Sequence, residues 1–252
     1  MPEARVSRRG SAVLDRESIL REGERLEGAS PQEVLGWAAD VFGERLALSV
    51  SFGGAEGMVL LDMLSKITDS ATVFTLDTGF LFEETLRFRK EAMERYPLRL
   101  EVVRPGLPVE EQVKIYGHRM RGCSPDLCCQ VRKVEPQKRF LKNYDAWVTG
   151  IRREQTSYRA DTPVVGWDGF FGVVKISPLA GWTQKRVMGY VREHEVPLNP
   201  LLGKGYRSIG CAPQTRPVKE GEDERAGRWP GMEKTECGIH VMNGKVRRRA
   251  NP

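Results

Sequence analysis

The sequence predicts an α/β fold, in which helices flank a mostly parallel β-sheet. Short apolar runs of four or five residues alternate with longer amphipathic segments, a pattern typical of strands joined by helices. The apolar runs are nearly continuous, as expected for parallel strands buried on both faces. A chain of 252 residues is long enough to bury one substantial core.

Local signals set the boundaries of the predicted elements. Ser30, Pro31 and Glu33 match a capping box that begins a helix, and Gly43 ends that helix. Pro136 is expected to bend or end the helix that contains it. The predicted strands cover residues 46–50, 72–76, 99–103, 146–150 and 173–177. The predicted helices cover residues 31–42, 58–67, 83–96, 126–141 and 183–194.

The chain divides into three predicted parts. Residues 1–30 have no strong apolar period and are expected to form a weakly ordered or loosely helical leader. Residues 31–205 carry the alternating elements and form the α/β domain. Residues 206–252 are rich in glycine, proline and charge and end in a basic tail. Two cysteines in and after this segment, Cys211 and Cys237, indicate that it is more than an inert tail.

Composition and charge exclude several classes of function. The formal net charge of +6 comes from both termini, so the body is neutral and lacks the basic face of a nucleic-acid binder. No apolar run approaches the roughly 20 residues of a membrane helix, and no apolar stretch follows the basic start as in a secretory signal. Five unevenly spaced cysteines favour cytoplasmic thiol chemistry or metal binding over a disulfide framework.

A glycine-containing turn follows the first predicted strand. Such a turn exposes backbone N–H groups at a helix N-terminus and can bind a phosphate, although a plain strand-to-helix turn explains it equally well. Neither the Walker pattern nor the dinucleotide fingerprint is present. The turn consists of Ser51, Phe52, Gly53, Gly54, Ala55 and Glu56. Asp77, Thr78 and Gly79 follow the second strand, where α/β sheets bind ligands.

Two groups of cysteines are candidates for chemistry. The adjacent pair Cys128 and Cys129 suggests ligation of an iron–sulfur cluster, or else two packed small residues. Arg132 and Lys133 follow these cysteines at helical spacing, four residues after each. Cys237 lies in the sequence ECGIH and is a candidate nucleophile, or else an incidental surface thiol. The cations available to favour its thiolate are His240, Lys234, Arg225 and Arg228.

A further cationic pair, Arg152 and Arg153, follows the fourth predicted strand directly. It suits contact with an anion, or else it is a solvated pair in a loop. The recognisable motifs, in chain order, are SVSFGGAE, TLDTG, CCQVRKVEP, NPLLGKGYRSIGCAP, GRWPG and KTECGIH.

These motifs in this order resemble the assimilatory sulfonucleotide reductases, which act on adenylyl sulfate (APS) or 3′-phosphoadenylyl sulfate (PAPS). The resemblance runs from about residue 45 to residue 240. It implies an adenine-nucleotide-hydrolase-like, Rossmann-like fold, thioredoxin as the reductant, and a C-terminal segment that folds over the active site. Residues 31–205 would then bind nucleotide, and residues 206–252 would be the catalytic segment.

The resemblance also implies roles for single residues. Cys237 matches the nucleophile, which attacks the sulfuryl sulfur and becomes an S-sulfocysteine. The turn from Ser51 to Glu56 matches the nucleotide loop. The positions facing the phosphosulfate match Lys133, Arg152 or Arg153, Arg225 and Arg228. An alternative from another class is an ATP-pyrophosphatase-like protein that binds nucleotide with the same loop and does no sulfur redox chemistry.

Cys128 and Cys129 match the paired ligands of the iron–sulfur branch, which implies a [4Fe–4S] cluster. That branch has a later C-x-x-C, whereas this chain has Cys211 followed by Gln214 at the position of the fourth ligand. Three arrangements remain open: ligation by three cysteines, including a [3Fe–4S] form; Cys123 as the fourth ligand; or loss of the cluster.

Different residues of the sequence favour different substrates, APS or PAPS. Gly57 and Gly53 depart from the APS branch, which usually has Asp and often Ser at these positions, and TGFLFEET is closer to the PAPS branch. The turn SFGGAE and the cysteine pair favour APS. We therefore expect an APS reductase, with PAPS or dual specificity as the alternative.

Overall fold

A six-stranded sheet lies at the centre of the residues that the computed structural model describes, which are 15–117, 125–232, 234 and 236–240. The strand order is β3-β2-β1-β4-β6-β5. All neighbouring strands are parallel except β5 and β6, so the expected mostly parallel sheet is confirmed. The strands are β1 (Leu46–Ser49), β2 (Thr72–Leu76), β3 (Arg99–Val103), β4 (Ala146–Val148), β5 (Val165–Asp168) and β6 (Val173–Ile176).

Helices cover both faces of this sheet. In β1, Leu46 and Leu48 join the larger core cluster, whereas Ala47 joins a smaller cluster that also contains Trp147. Both faces are therefore apolar, which explains the nearly continuous apolar runs in the sequence. The α-helices are α1 (Arg16–Leu26), α2 (Pro31–Phe42), α3 (Ala55–Ser65), α4 (Glu83–Met93), α5 (Val109–Tyr116), α6 (Pro125–Cys129), α7 (Glu135–Leu141) and α8 (Gln184–Glu193).

The predicted start of α2 is confirmed in detail. The Ser30 hydroxyl accepts a hydrogen bond from the Glu33 amide at 3.2 Å, and the Glu33 carboxylate accepts one from the Ser30 amide at 2.8 Å. Pro136 lies in the first turn of α7 and does not end the helical region, which continues to Leu141 as predicted. The hydrogen bonding changes earlier, in a π-helical turn at Gln130–Val134. A π turn of this kind is frequent at functional sites.

Three elements differ from the sequence-based expectation, and one of them is α5 (Val109–Tyr116), where no element was predicted. Strand β5 was not predicted, because Gly166 interrupts its short apolar run; it pairs antiparallel with β6 at the sheet edge. Within the predicted leader, α1 is a regular helix whose N-cap, Asp15, accepts a hydrogen bond from the Ser18 amide at 2.8 Å. Ile19 of α1 is fully buried. Packing against β5 therefore orders part of the leader.

The sheet order places a crevice between β1 and β4. After β1 the chain adds β2 and β3 on one side, and after β3 it crosses to β4 on the other side of β1. Loops that leave neighbouring strands in opposite directions open a crevice at their carboxyl ends, where α/β proteins bind ligands.

Candidate active site

A cavity of about 580 Å³ opens at this crevice. Its walls include the turn after β1, the loops after β2 and β4, part of α8 and the segment from Leu198 to the C-terminal region. Lys133 from the π turn also faces it. The predicted site residues that line the cavity are Ser51, Gly53, Gly54, Glu56, Thr78, Lys133, Arg225, Arg228, Cys237 and His240.

The turn after β1 presents its backbone to the cavity. Phe52 takes a left-handed conformation with φ of 55°, and its side chain is buried against Phe88. The Asn199 side-chain amide nitrogen donates a hydrogen bond to the Phe52 carbonyl oxygen at 2.8 Å. A side chain at Gly53 would lie 3.0 Å from the Ile209 Cβ, so glycine lets these two segments approach. Helix α3 begins directly afterwards, and the geometry suits phosphate binding.

Arg152 does not face the cavity, contrary to the expectation that it or Arg153 contacts the phosphosulfate. The Arg152 side chain is 1% exposed and donates to Glu56 at 3.0 Å and to Glu154 at 2.9 Å. It also donates to Gln184 at 2.6 Å. Its charge is neutralised by carboxylates, and its role is to hold Glu56 and hence the start of α3.

Arg153 points to the other side of the domain. Its guanidinium donates to both carboxylate oxygens of Glu27, at 2.7 Å and 2.8 Å, and to the Thr162 carbonyl at 2.9 Å. The cation that reaches the cavity from this loop is instead Arg159, which the sequence analysis did not single out. Arg153 therefore ties the residue after α1 to the sheet and is not part of the cavity wall.

Four other predicted residues do not line this cavity. Asp77 pairs with Arg89 at 3.5 Å and Arg104 at 3.6 Å. Arg132 is 3% exposed and donates to Gln112 at 2.6 Å and to the Thr78 carbonyl at 3.0 Å. These contacts show that Asp77 and Arg132 support the loops that carry the site. These four predicted residues are Phe52, Asp77, Gly79 and Arg132, of which Arg132 lines a smaller adjoining pocket.

Positive charge gathers at the end of the cavity that contains Cys237. Burial by itself lowers the pKa of Lys133, but the thiols of Cys211, Cys237 and Cys129 outweigh it, and the pKa stands above its ordinary value. Burial lowers the pKa of Arg225 to about 10, against the opposing effect of the Glu236 carboxylate. Both side chains therefore remain cations near neutral pH.

Arg228 also lines the cavity. Its guanidinium sits 4.5 Å from the centre of the Trp229 ring, and its NH1 donates to the Ser208 hydroxyl at 3.4 Å. The buried Arg228 Nε has no hydrogen-bond partner among the residues described.

His240 is a neutral side chain, which corrects the expectation that it supplies a cation to Cys237. Its ring stacks on Trp147 at a centroid distance of 5.7 Å and an interplanar angle of 8°. Burial lowers its pKa well below the ordinary value, and the nearby charges of Lys175, Arg159 and Arg225 lower it further. Cys237 itself is half-buried and lines the cavity.

A smaller pocket of about 20 Å³ adjoins this end of the cavity. Cys128, Cys129 and Cys211 line it together with Gln214. Cys211 Sγ lies 3.4 Å from the Thr78 hydroxyl. Cys123, the proposed substitute for the missing ligand, falls outside the described residues.

The pKa values of the thiols in this pocket shift in opposite directions. Burial raises the pKa of Cys211, but Lys133, the Thr78 hydrogen bond and Arg228 outweigh it, and the pKa is lowered. Burial raises the pKa of Cys129 to about 12, with Lys133 opposing. In the part of the chain that is described, no three ligating side chains stand close enough together to hold a metal. The pocket contains thiols, the ligand type of an iron–sulfur cluster, but these thiols stand too far apart in this structure to bind a metal, and the fourth position is an amide.

The fold and the cavity define an α/β protein of the nucleotide-binding type with a cysteine at the cavity mouth. The family model of the phosphoadenosine phosphosulfate reductase domain matches residues 45–217. The chain belongs to this family.

Similar proteins carry both substrate names. The adenosine 5′-phosphosulfate reductase of Halalkalibacterium halodurans is 47% identical, over 88% of this chain and 96% of that protein. The phosphoadenosine 5′-phosphosulfate reductase of Gloeobacter violaceus is 45% identical, over 90% and 95%. The crystal structure of PAPS reductase from Candida auris, a phosphate complex, aligns with a TM-score of 0.71 at 34% identity, covering 82% of this chain and 100% of that chain.

More distant structures share the fold alone. FMN adenylyltransferase of Candida glabrata aligns with a TM-score of 0.56 at 15% identity, covering 84% of this chain and 71% of that one. Over the described residues, no helix has the length and apolar character needed to cross a membrane.

Proposed function

We propose that this protein reduces APS to sulfite and AMP in sulfate assimilation, with Cys237 as the nucleophile and thioredoxin as the reductant. The observation that carries the proposal is one cavity with a phosphate-binding turn at one end and Cys237 among cations at the other. The names of relatives at 43–47% identity support APS as the substrate. The reaction belongs in the cytoplasm, where thiols stay reduced.

The first step transfers the sulfuryl group to the protein. The Cys237 thiolate attacks the sulfuryl sulfur, the bond from that sulfur to the bridging phosphate oxygen breaks, and AMP leaves with the electron pair. In the second step a thioredoxin thiolate attacks the Cys237 sulfur and releases sulfite. The second thioredoxin thiol then resolves the mixed disulfide, so two electrons from thioredoxin account for the reduction.

The cations of the cavity make this attack feasible. A thiolate approaching a phosphosulfate meets electrostatic repulsion, which fixed positive charges offset most effectively where water is excluded. Lys133, Arg225 and Arg228 line the cavity together with Cys237.

Replacing the nucleophile tests the mechanism. In Cys237→Ser, release of sulfite from labelled APS with reduced thioredoxin should fall about a thousandfold or more, because an alcohol is a poor nucleophile for this step. AMP should still bind with wild-type affinity, which shows that the cavity is intact. Turnover by the serine variant near the wild-type rate contradicts the proposal.

The same assay decides between the two sulfonucleotides. The relative from Gloeobacter violaceus, named for PAPS, is nearly as similar as those named for APS, so PAPS is the second candidate substrate. We expect kcat/KM to be higher for APS. A higher value for PAPS assigns the chain to the other substrate and leaves the role of Cys237 unchanged.

We also propose that Cys128, Cys129 and Cys211 hold a [4Fe–4S] cluster or its [3Fe–4S] form, for which the three thiols would have to come closer together than they stand in this structure. The support is that these thiols line one pocket and that Lys133 and Arg228 favour the thiolate of Cys211. A cluster there would contribute charge and redox-active iron beside the cavity. The reaction steps above do not pass through it.

Gln214 offers a direct test of the cluster. An amide binds iron poorly, so the wild-type protein should lose one iron readily, whereas Gln214→Cys should hold about four irons per chain and resist air. Iron analysis and the visible spectrum of anaerobically purified protein measure this, with Gln137→Cys as the matched control at a buried site away from the pocket. Iron-free, colourless protein in both the wild type and Gln214→Cys refutes the proposal.

A further inference from the structure

A buried ion pair holds the residue next to Cys237. Arg159 donates from Nε and NH2 to the two carboxylate oxygens of Glu236, at 2.9 Å and 2.7 Å. The side chains are 8% and 3% exposed. Arg159 follows β4 in the loop of the domain body, whereas Glu236 belongs to the C-terminal segment. The pair therefore fastens that segment to the body one residue before the nucleophile.

The pair continues into a chain of hydrogen bonds that reaches the phosphate-binding turn. Arg159 donates from NH1 to the Gln155 side-chain oxygen, and Gln155 donates from its amide nitrogen to Glu56 at 2.8 Å. Glu56 lies in the first turn of α3 and is itself fixed by Arg152 at 3.0 Å. The Cys237 segment and the turn after β1 are thus joined by one set of buried and partly buried polar contacts.

Glu236 needs an explanation, because a carboxylate beside a nucleophile that approaches a polyanion is unfavourable. Its charge is compensated by two guanidinium groups, since Arg225 NH2 also lies 3.4 Å from Glu236 Oε2. Arg159 makes the bidentate contact, whereas Arg225 makes a single, longer one and lines the cavity. Glu236 consequently orients Arg225 while Arg159 holds Glu236.

We propose that Glu236 and Arg159 are positioning residues that hold Cys237 at the cavity end and aim Arg225 at the phosphosulfate. The inference deepens the proposed function and rests on it in taking Cys237 as the nucleophile. Both side chains line the cavity, and in this role they act through the position of Cys237 and Arg225.

Alkylation of Cys237 tests the positioning without any substrate. In Glu236→Gln and Arg159→Lys, the intact protein should react with iodoacetamide at Cys237 about tenfold faster or more, because the segment opens more often. Peptide mass mapping assigns the modified cysteine. The matched control is Glu222→Gln, which breaks the partly exposed bidentate pair with Arg216 (2.8 Å and 3.0 Å) in the same segment and should leave the rate unchanged.

A second measurement separates positioning from general stability. The single-turnover rate of S-sulfocysteine formation from APS should fall about tenfold or more in both variants, whereas AMP affinity stays within about twofold. The double variant should be no slower than the slower single variant, since both substitutions remove the same ion pair between Arg159 and Glu236. Glu236→Asp, which keeps the charge, should recover part of the rate.

The outcomes distinguish this inference from the proposed function. Unchanged alkylation in both variants overturns the positioning role, even if APS reduction is confirmed. Loss of AMP binding and of the cooperative melting transition in both variants also overturns it, because the pair then supports the whole domain. Faster alkylation with no sulfite formation by the wild-type protein supports the pair and refutes the proposed function.

Discussion

At the scale of single residues, burial decides which charges serve the site. His240 is a neutral ring stacked on Trp147, and Arg152 is neutralised by Glu56 and Glu154. Arg159, in contrast, reaches the cavity. The sequence suggested His240 as a cation near the thiol and Arg152 as a phosphosulfate contact, and it did not point to Arg159; desolvation and the nearest counter-charge assign their actual roles.

The low pKa of His240 predicts a specific dependence on pH. The folded state prefers the neutral ring, so the stabilisation is complete above pH of about 6.5 and is lost as the pH falls below it, by at most about 1.4 kcal/mol per pH unit. His240→Phe keeps an aromatic ring on Trp147 and cannot be protonated. The free energy of unfolding of this variant should fall less between pH 7.5 and pH 5, on the order of 1 kcal/mol less in total.

Denaturant unfolding at a series of pH values measures the effect. His194→Phe is the control, because His194 lies outside the cavity lining, beside Tyr190. If the wild type and His240→Phe lose the same free energy on acidification, His240 is not held neutral by the fold.

At the scale of elements, close contact between neighbouring segments shapes the phosphate-binding turn. A Cβ on Gly150, just after β4, would lie 2.8 Å from the Glu56 Cβ and 3.2 Å from the Gly57 nitrogen. The loop after β4 therefore lies directly against the start of α3. Glycine is required here by the approach of two backbones and not by an unusual φ.

Gly150→Ala should weaken nucleotide binding. The added methyl group pushes the start of α3 away from β4, at a cost of about 1–3 kcal/mol in stability and about tenfold in AMP affinity. Calorimetric titration with AMP and thermal unfolding measure both effects. Gly36→Ala in α2 is the matched control: no atom lies within 4 Å of its Cβ, and it should be neutral or stabilising by up to about 1 kcal/mol. Equal AMP affinity in Gly150→Ala and the wild type contradicts the steric argument.

At the scale of the whole molecule, the site is assembled from distant parts of the chain. The turn after β1, the loop after β4 and the C-terminal segment meet because β1 and β4 are neighbours in the sheet. The contact of Arg159 with Glu236 spans 77 residues, and that of Arg152 with Glu56 spans 96. Local periodicity carries no information on such pairs.

Local chemistry in the sequence was sufficient for the mostly parallel α/β fold, the capped start of α2, and the turn and cysteine that line the cavity. These features depend on short-range signals: apolar runs, a capping box and glycines between a strand and a helix. The resemblance of the motifs indicated the family, which the match over residues 45–217 then confirmed.

Only the tertiary structure decided which cations face the cavity. In the folded chain Arg159 lines the cavity, whereas Arg152 and Arg153 do not. Burial lowers the pKa of His240, and Glu236 pairs with two guanidinium groups. The tertiary structure also ordered α1, whose mixed sequence becomes stable only where Ile19 is buried in the core. The physical reason is common to all of these: counter-charges and burial come from residues far apart in the sequence, and only the folded chain brings them together.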